Sequence, residues 1–349
     1  MAEKYLTHNP ARAIDETIAS LKADKVVVVT DENVNRAVLP RLSGSQTLKE
    51  AEVIVLKPGE DEKNLATVTR IWDKLEKTGA TRQSVVLNIG GGVVTDMGGF
   101  AAATFKRGLR TVNFPTTVLG AVDAATGGKT GINYRGLKNE IGVFHMPTKV
   151  IVSAMPFESL EREDLLSGYA EMVKTAMISD REFYESLLGL EKVMSDPLIF
   201  GRYVEKCVLI KDDVVAQDPR EQGLRKILNF GHTAGHAIES LRLEKGVPVS
   251  HGKAVAHGML VALILSNKLL GLDAGEAEKY ARFLRRYYGE SLIATEDTDR
   301  LIDKMNSDKK NSRHGQPSFT LLKEIGEPVF DCHPSPSEIK EAIEKSVVM

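Results

Sequence analysis

The chain of 349 residues has only two cysteines, Cys207 and Cys332, with neither a CxxC spacing nor a histidine cluster around them. Two thiols so far apart cannot make the disulfide framework of a secreted scaffold, and a reducing compartment fits them best. Net charge is equally scarce. Lys and Arg number 46 against 48 Asp and Glu, a formal balance of −2, and the signs are interspersed rather than gathered into tails. That argues against a nucleic-acid or membrane-surface partner. Long hydrophobic runs are also missing: the most apolar helical stretch, Met259 to Leu272, holds Ser266, Asn267 and Lys268 and is too short to span a bilayer. The opening MAEKYLTHNPARAID is too polar for a signal peptide, and no solenoid-period repeat or low-complexity segment is present. A cytoplasmic protein with a small-molecule partner is expected.

What the chain does have is a hydrophobic content of 42%, enough over this length for two cores rather than one. Between Lys25 and Val152, β-branched runs (KVVVVTD, AEVIVLKPG, SVVLNIGGG, LRTVNFPTT, KVIVS) alternate with longer polar-apolar stretches such as LATVTRIWDKLEKTG. That is the pattern of parallel strands with crossover helices. After about Pro156, apolar residues recur at three- and four-residue steps, so helices dominate. The expectation is an α/β protein with a Rossmann-like parallel-sheet domain over 1–155 and a mainly α-helical domain over 156–349. The site is expected in the cleft between them.

Gly90, Gly91 and Gly92 follow the strand SVVLNI and open the helical stretch VVTDMGGFAAATF, where unhindered backbone N–H groups could meet a pyrophosphate. The motif is not GxGxxG, and a tight structural turn is an equal reading. Asp31 and Asn33, after KVVVVT, and Glu60 and Lys63, after the next strand, stand at the carboxyl ends of parallel strands, where ligands bind. Each has a bland alternative: a helix cap for Asp31, a solvated turn for Glu60. Further on, FPTTVLGAVDAATGGKTGINYRGLKNEIG sets Asp123, Lys129, Asn133, Lys138 and Asn139 among Gly127, Gly128, Gly131 and Gly136. It reads as a polar loop able to wrap an anion, with a plain solvated loop as the bland alternative, and Arg107 upstream is a candidate for another phosphate contact.

His232 and His236 share one helical face four residues apart, His251 opens HGKAV, and Glu171 in GYAEMVK has Lys174 one turn later. Glu171, His232 and His251 would make a two-histidine, one-carboxylate set with open positions, the pattern of a catalytic zinc site. A histidine pair at this spacing is more often plain surface or core. His145, His257, His314 and His333 have no such partners in sequence and are read as packed or exposed.

Taken in order, GGGVVTDMGGF, PTTVLGAVDAATGGKTGIN, LKNEIG, GYAEMVK, GLRKILNFGHTAGHA and HGKAVAHGM resemble the successive signature blocks of the 3-dehydroquinate synthase family, from about Asp31 to Lys310. The resemblance implies a lyase of the shikimate pathway that uses NAD and Zn²⁺ or Co²⁺ to cyclise a sugar phosphate, working as a homodimer. It implies Glu171, His232 and His251 as metal ligands, with His236 contacting substrate or handling a proton. Arg225, with Lys211 beside it, would hold the substrate carboxylate. Asp123, Lys174 and Asn229 would meet its hydroxyls. The phosphate would fall to Lys129, Asn139 and Lys309 or Lys310, while Arg107 would reach a neighbouring subunit's site. The dinucleotide would take Asp31, Glu60, Lys63, Gly90, Gly91, Gly92, Asp96, Thr116, Thr117 and Lys138, with Asp123 near both ligands.

Arg225, Asn229 and His236 favour the dehydroquinate branch over aminated-substrate or valiolone-type cyclases. An iron-type alcohol or glycerol dehydrogenase shares the two-domain plan, and a non-catalytic descendant would be expected to have lost ligands. The chain departs from the family at Thr95, at Ala124 to Thr126 and at Lys253. Opening strands before the first helix are not evident in AEKYLTHNPARAIDETIAS, so the edge of the first domain is expected to be atypical.

Overall fold

The structure, a computed structural model, describes residues 3–135, 137–306 and 316–349, so Lys309 and Lys310 lie outside the described residues. Two compact units divide the chain: Met1–Glu161 with Pro197–Asp212, and Arg162–Asp196 with Asp213–Met349. Lys211 thus belongs to the first unit although it follows the first helices of the second.

All five β-branched runs are strands. In chain order the first unit contains β1 (Glu3–Leu6), β2 (Val26–Asp31), β3 (Glu52–Leu56), β4 (Val85–Gly90), β5 (Arg110–Pro115), β6 (Lys129–Tyr134), β7 (Leu137–Phe144) and β8 (Lys149–Val152). Among the described residues, six of them form one parallel sheet in the order β1-β8-β5-β4-β2-β3. Strands buried on both faces read as continuous apolar runs, and successive residues then serve opposite layers. Val27, Val29 and Val86 pack with Val68, Ile71 and Leu75 of the helix Leu65–Lys77 and with Val94 and Met97 of the helix Gly92–Thr104. Val28, Val85 and Leu87 turn the other way, to Ala13, Ile14 and Ile18 of the helix Pro10–Leu21. Each buried Val, Leu, Ile or Met among these contributes about 1.5–3 kcal/mol over its exposed state.

Two expectations need correction. The N-terminal edge is a regular strand: β1 pairs in parallel with β8, from Glu3 opposite Lys149 to Leu6 opposite Val152. A four-residue edge strand without a β-branched residue has no sequence period to betray it, and only pairing makes it. The segment read as a polar loop is mostly ordered. A π-helical turn, Gly120–Ala124, is followed by the antiparallel pair β6–β7, with Lys129 opposite Phe144 and Ile132 opposite Ile141. Gly131 belongs to that pairing: it stands opposite Gly142, and a Cβ on it would meet the Ile141 carbonyl oxygen at 2.6 Å.

The second unit is mainly helical and, among the described residues, has one antiparallel hairpin, β9 (Phe319–Glu324) and β10 (Glu327–Cys332). Its central helix, His251–Leu270, is longer than the apolar run in the sequence and is long and apolar enough to cross a membrane, but 72% of its apolar stretch is buried inside the protein. It is a core helix. The helix His232–Glu244 packs on it at close range: a Cβ on Gly258 would stand 2.1 Å from the Gly231 carbonyl oxygen and 2.6 Å from the Gly235 nitrogen. Backbone cannot yield as a flexible side chain does. Gly258→Ala is therefore expected to destabilise the chain by about 1–3 kcal/mol or more, read as a lowered denaturant midpoint at unchanged slope.

Candidate metal centre and nucleotide-binding turn

Three helices of the second unit bring the metal candidates together. Glu171 and Lys174 lie on Arg162–Met177, His232 and His236 on His232–Glu244, and His251 opens His251–Leu270. Close approach of the first and third depends on Gly252, whose Cβ would collide with the Ser167 carbonyl oxygen at 1.9 Å and whose N–H donates to Ser167 Oγ at 3.1 Å. Glu171 ends almost fully buried, at 1% exposure, with Lys174 Nζ 2.5 Å from its Oε2.

The other oxygen, Glu171 Oε1, is 3.6 Å from Nε2 of both His232 and His251. That is too long for a hydrogen bond. It is the spacing of donors sharing one cation, since ligands at about 2.0–2.2 Å in tetrahedral array stand about 3.3–3.6 Å apart. One ring nitrogen from each of His232, His236 and His251 also lies within 4.8 Å of the other two. Two ligand sets therefore share His232 and His251, completed by Glu171 or by His236. The Glu171 set is favoured because its oxygen is equidistant from both Nε2 atoms and its charge is buried. Burial alone pushes the Glu171 carboxyl up, but Lys174 first and His251 next outweigh it and hold it well below the usual carboxylate range. Burial likewise lowers His251, yet Glu171 and then Glu239 raise it to about 9. The site is a strongly cation-seeking one.

Both ligand candidates are oriented from behind. His232 Nδ1 faces the Phe230 carbonyl oxygen at 3.1 Å, and His251 Nδ1 faces Glu239 Oε2 at 3.1 Å. Glu239 was not read from the sequence; its signal was a carboxylate two helical turns after His232 and one after His236. Nearby in sequence, Arg225 is buried, and its Nη1 donates to the Pro219 carbonyl oxygen at 2.8 Å. Asn229 Nδ2 donates to Glu221 Oε1 at 2.7 Å. Asp218, also unread, accepts from the backbone of Gln222, Gly223 and Arg225.

In the first unit, β4 ends at Gly90 and Gly91 caps the helix Gly92–Thr104 without a side chain. The turn is crowded: a Cβ on Gly91 would meet Thr117 at 3.1 Å and one on Gly92 would meet Ala124 at 3.2 Å. Thr116 N–H closes it onto the Gly90 carbonyl, while Thr117 Oγ1 accepts from Gly120 N–H. Lys63, 4% exposed, donates to Asp96 Oδ2 at 2.6 Å and to Asn139 Oδ1 at 2.5 Å. Asn133 of β6 joins them, donating to Glu60 Oε1 at 2.9 Å and accepting from Asn139 N–H at 2.9 Å. Asn139, expected at the substrate phosphate, thus stands with Glu60, Lys63 and Asp96. Asp31 caps the helix Glu32–Ala37 through Oδ1, and Asn33 accepts from Arg36. Lys211 pairs with the carboxylate of Asp123 and donates to its carbonyl at 2.6 Å. Arg107, Lys129 and Lys138 are exposed.

Two family models cover most of the chain: 3-dehydroquinate synthase N-terminal over residues 53–167 and 3-dehydroquinate synthase C-terminal over 168–311. The chain belongs to the 3-dehydroquinate synthase family. It is 42% identical over 314 residues to the 3-dehydroquinate synthase of Parabacteroides distasonis, covering 90% of this chain and 89% of that one. Against the 3-dehydroquinate synthase of Thermococcus kodakarensis the identity is 36%, over 97% and 93% of the two chains. The fold also matches ValA, a 2-epi-5-epi-valiolone synthase from Streptomyces hygroscopicus solved with NAD⁺ and Zn²⁺, at a TM-score of 0.87 and 24% identity over 100% and 97% of the chains.

Burial raises Asp96 to about 6, against the opposing pull of Lys63. A carboxyl whose folded pKa exceeds its unfolded value binds its proton more tightly when folded, so stability falls as pH rises from about 4 to 6 and the cost levels off above. At roughly 1.4 kcal/mol per unit the cost is about 3 kcal/mol at most. Lys63→Met should move the Asp96 titration above 6, followed by carboxyl-carbon NMR; Asp96→Asn should gain on the wild type in denaturant melts as pH rises through that window.

Proposed function

We propose that the chain is a 3-dehydroquinate synthase, turning 3-deoxy-D-arabino-heptulosonate 7-phosphate into 3-dehydroquinate and phosphate in the shikimate route to chorismate and the aromatic amino acids. The observation that carries the reading is the buried Glu171 oxygen equidistant from two imidazole nitrogens, within a chain matched by both family models. The donor set suits Zn²⁺ or Co²⁺, held by Glu171, His232 and His251. The Gly90–Gly92 turn and the group Asp31, Asn33, Glu60, Lys63, Asp96, Thr116, Thr117, Asp123 and Lys138 suit NAD. When bound, NAD⁺ supplies a hydride acceptor and the cation supplies Lewis acidity at C5 of the substrate.

The chain's own residues bind and orient. Lys174 and Asn229 align the hydroxyls at the reacting carbons, with His236 and Asp123 as further partners. Arg225 holds the substrate carboxylate, its guanidinium plane fixed by the Pro219 carbonyl. Lys129, Asn139, Arg107 and Lys309 or Lys310 meet the phosphate. Oxidation at C5 would make the C6 proton acidic, and the substrate's own phosphate would remove it as phosphate leaves, so no separate strong base is needed. With the hydride returned to the substrate, ring opening and an aldol closure in a conformationally confined substrate would complete a sequence with no net redox change. A cytoplasmic homodimer, without nucleic-acid or membrane partners, belongs to the same reading.

Purified protein given the heptulosonate phosphate, catalytic NAD⁺ and Zn²⁺ should release one phosphate per substrate without accumulating NADH. Stoichiometric NADH would instead identify a dehydrogenase. His251→Ala should lose turnover together with bound metal. Arg225→Ala should mainly raise KM, by about 10- to 100-fold if a charged hydrogen bond of roughly 1.5–3 kcal/mol is lost.

A further inference from the structure

Resting on the metal reading above, we infer that Glu239 is a positioning residue for His251: its carboxylate fixes the imidazole's tautomer and orientation and strengthens it as a ligand. The geometry is direct. Glu239 Oε2 lies 3.1 Å from His251 Nδ1, while His251 Nε2 points at Glu171 Oε1 from 3.6 Å. An ionised carboxylate only accepts, so Nδ1 must carry the hydrogen, which leaves the Nε2 lone pair for a cation. His232 is presented in the same tautomer, but by the neutral Phe230 carbonyl. The two contacts therefore differ: a neutral backbone carbonyl faces His232 Nδ1, and a full negative charge faces His251 Nδ1. That charge is effective because the Glu239 side chain is only 14% exposed.

Glu239 also solves a positional problem. His251 is the first residue of its helix, where side chains are least constrained by neighbouring turns, and its own side chain is 27% exposed against 9% for His232. Glu239 sits on the helix that carries His232 and His236. Its bond to Nδ1 ties the loosest ligand candidate to the element that bears the other histidines. Carboxylates placed behind metal-bound imidazoles in this way change metal affinity by about 10- to 100-fold.

The test is Zn²⁺ affinity of the full chain, by competition with a chromogenic chelator, for the wild type, Glu239→Ala, Glu239→Gln and His251→Ala. Glu239→Ala should weaken binding by about 10- to 100-fold, and Glu239→Gln, which keeps an acceptor for Nδ1–H, should recover most of the orientation and bind more tightly than the alanine variant. Metal-free melting temperatures should stay close to wild type, which separates positioning from a general loss of packing. Wild-type affinity in Glu239→Ala beside lost affinity in His251→Ala overturns the inference and leaves the metal site standing. Wild-type affinity in both overturns the metal reading as well. If the alanine variant does not fold, Glu239→Asp, one methylene short of Nδ1, takes its place: weaker binding supports the role and unchanged binding refutes it.

Discussion

The second unit is organised by one costly feature, a carboxylate buried to 1% exposure among three helices. An unpaired ion there would cost several kcal/mol, and the group would take up a proton instead. Lys174 at 2.5 Å and the imidazoles of His232 and His251 at 3.6 Å prevent that. Glu171 and Glu239 both face His251, and Lys174 is the buried cation paired with Glu171. The local surplus of negative charge favours any cation, whether a proton on His251 or a metal between the ligands. The two imidazoles come from two other helices, so the charge centre ties all three helices together alongside their apolar packing. Gly252 and Gly258 are where that spacing becomes a backbone contact.

The first unit meets a comparable constraint with hydrogen bonds rather than imidazoles. Lys63 and Asp96 are drawn inside together, and the lysine's remaining reach is taken by Asn139 on the hairpin. Asn133 then holds both Glu60 and the Asn139 backbone, so four short segments share one polar network. Such a network is stable only when its members are paired, which makes the hairpin part of the turn's architecture.

Legibility in the sequence followed burial. Strands with both faces covered were readable because nearly every residue must be apolar, as in Val27–Val29 and Val85–Leu87. The edge strand β1 and the exposed hairpin strand β7 were not, since neither carries a one-sided pattern and the pairing partner decides them. For the metal centre, the three-residue step from Glu171 to Lys174 and the four-residue step from His232 to His236 were visible as one-turn spacings. Glu239 escaped because its partner is not on its own helix, and no helical period relates it to His251. The placement of Asn139 with Lys63 was hidden for the same reason, a separation of 76 residues closed only by the fold.

Asn139 shows how far such closure reaches. It sits at φ 53°, in the left-handed region, which asparagine tolerates better than most residues but still at some cost. The conformation persists where surroundings over-determine it, and here they do: its N–H is held by Asn133 and its amide oxygen by Lys63. Both partners belong to the group around Glu60, and one of them, Lys63, is among the residues that the proposed nucleotide would contact. A ligand that drew Lys63 toward its own oxygens would weaken one of the two bonds holding Asn139. The hairpin and the glycine-rich turn are therefore expected to respond together, through a lysine that has one ammonium and more than one claimant.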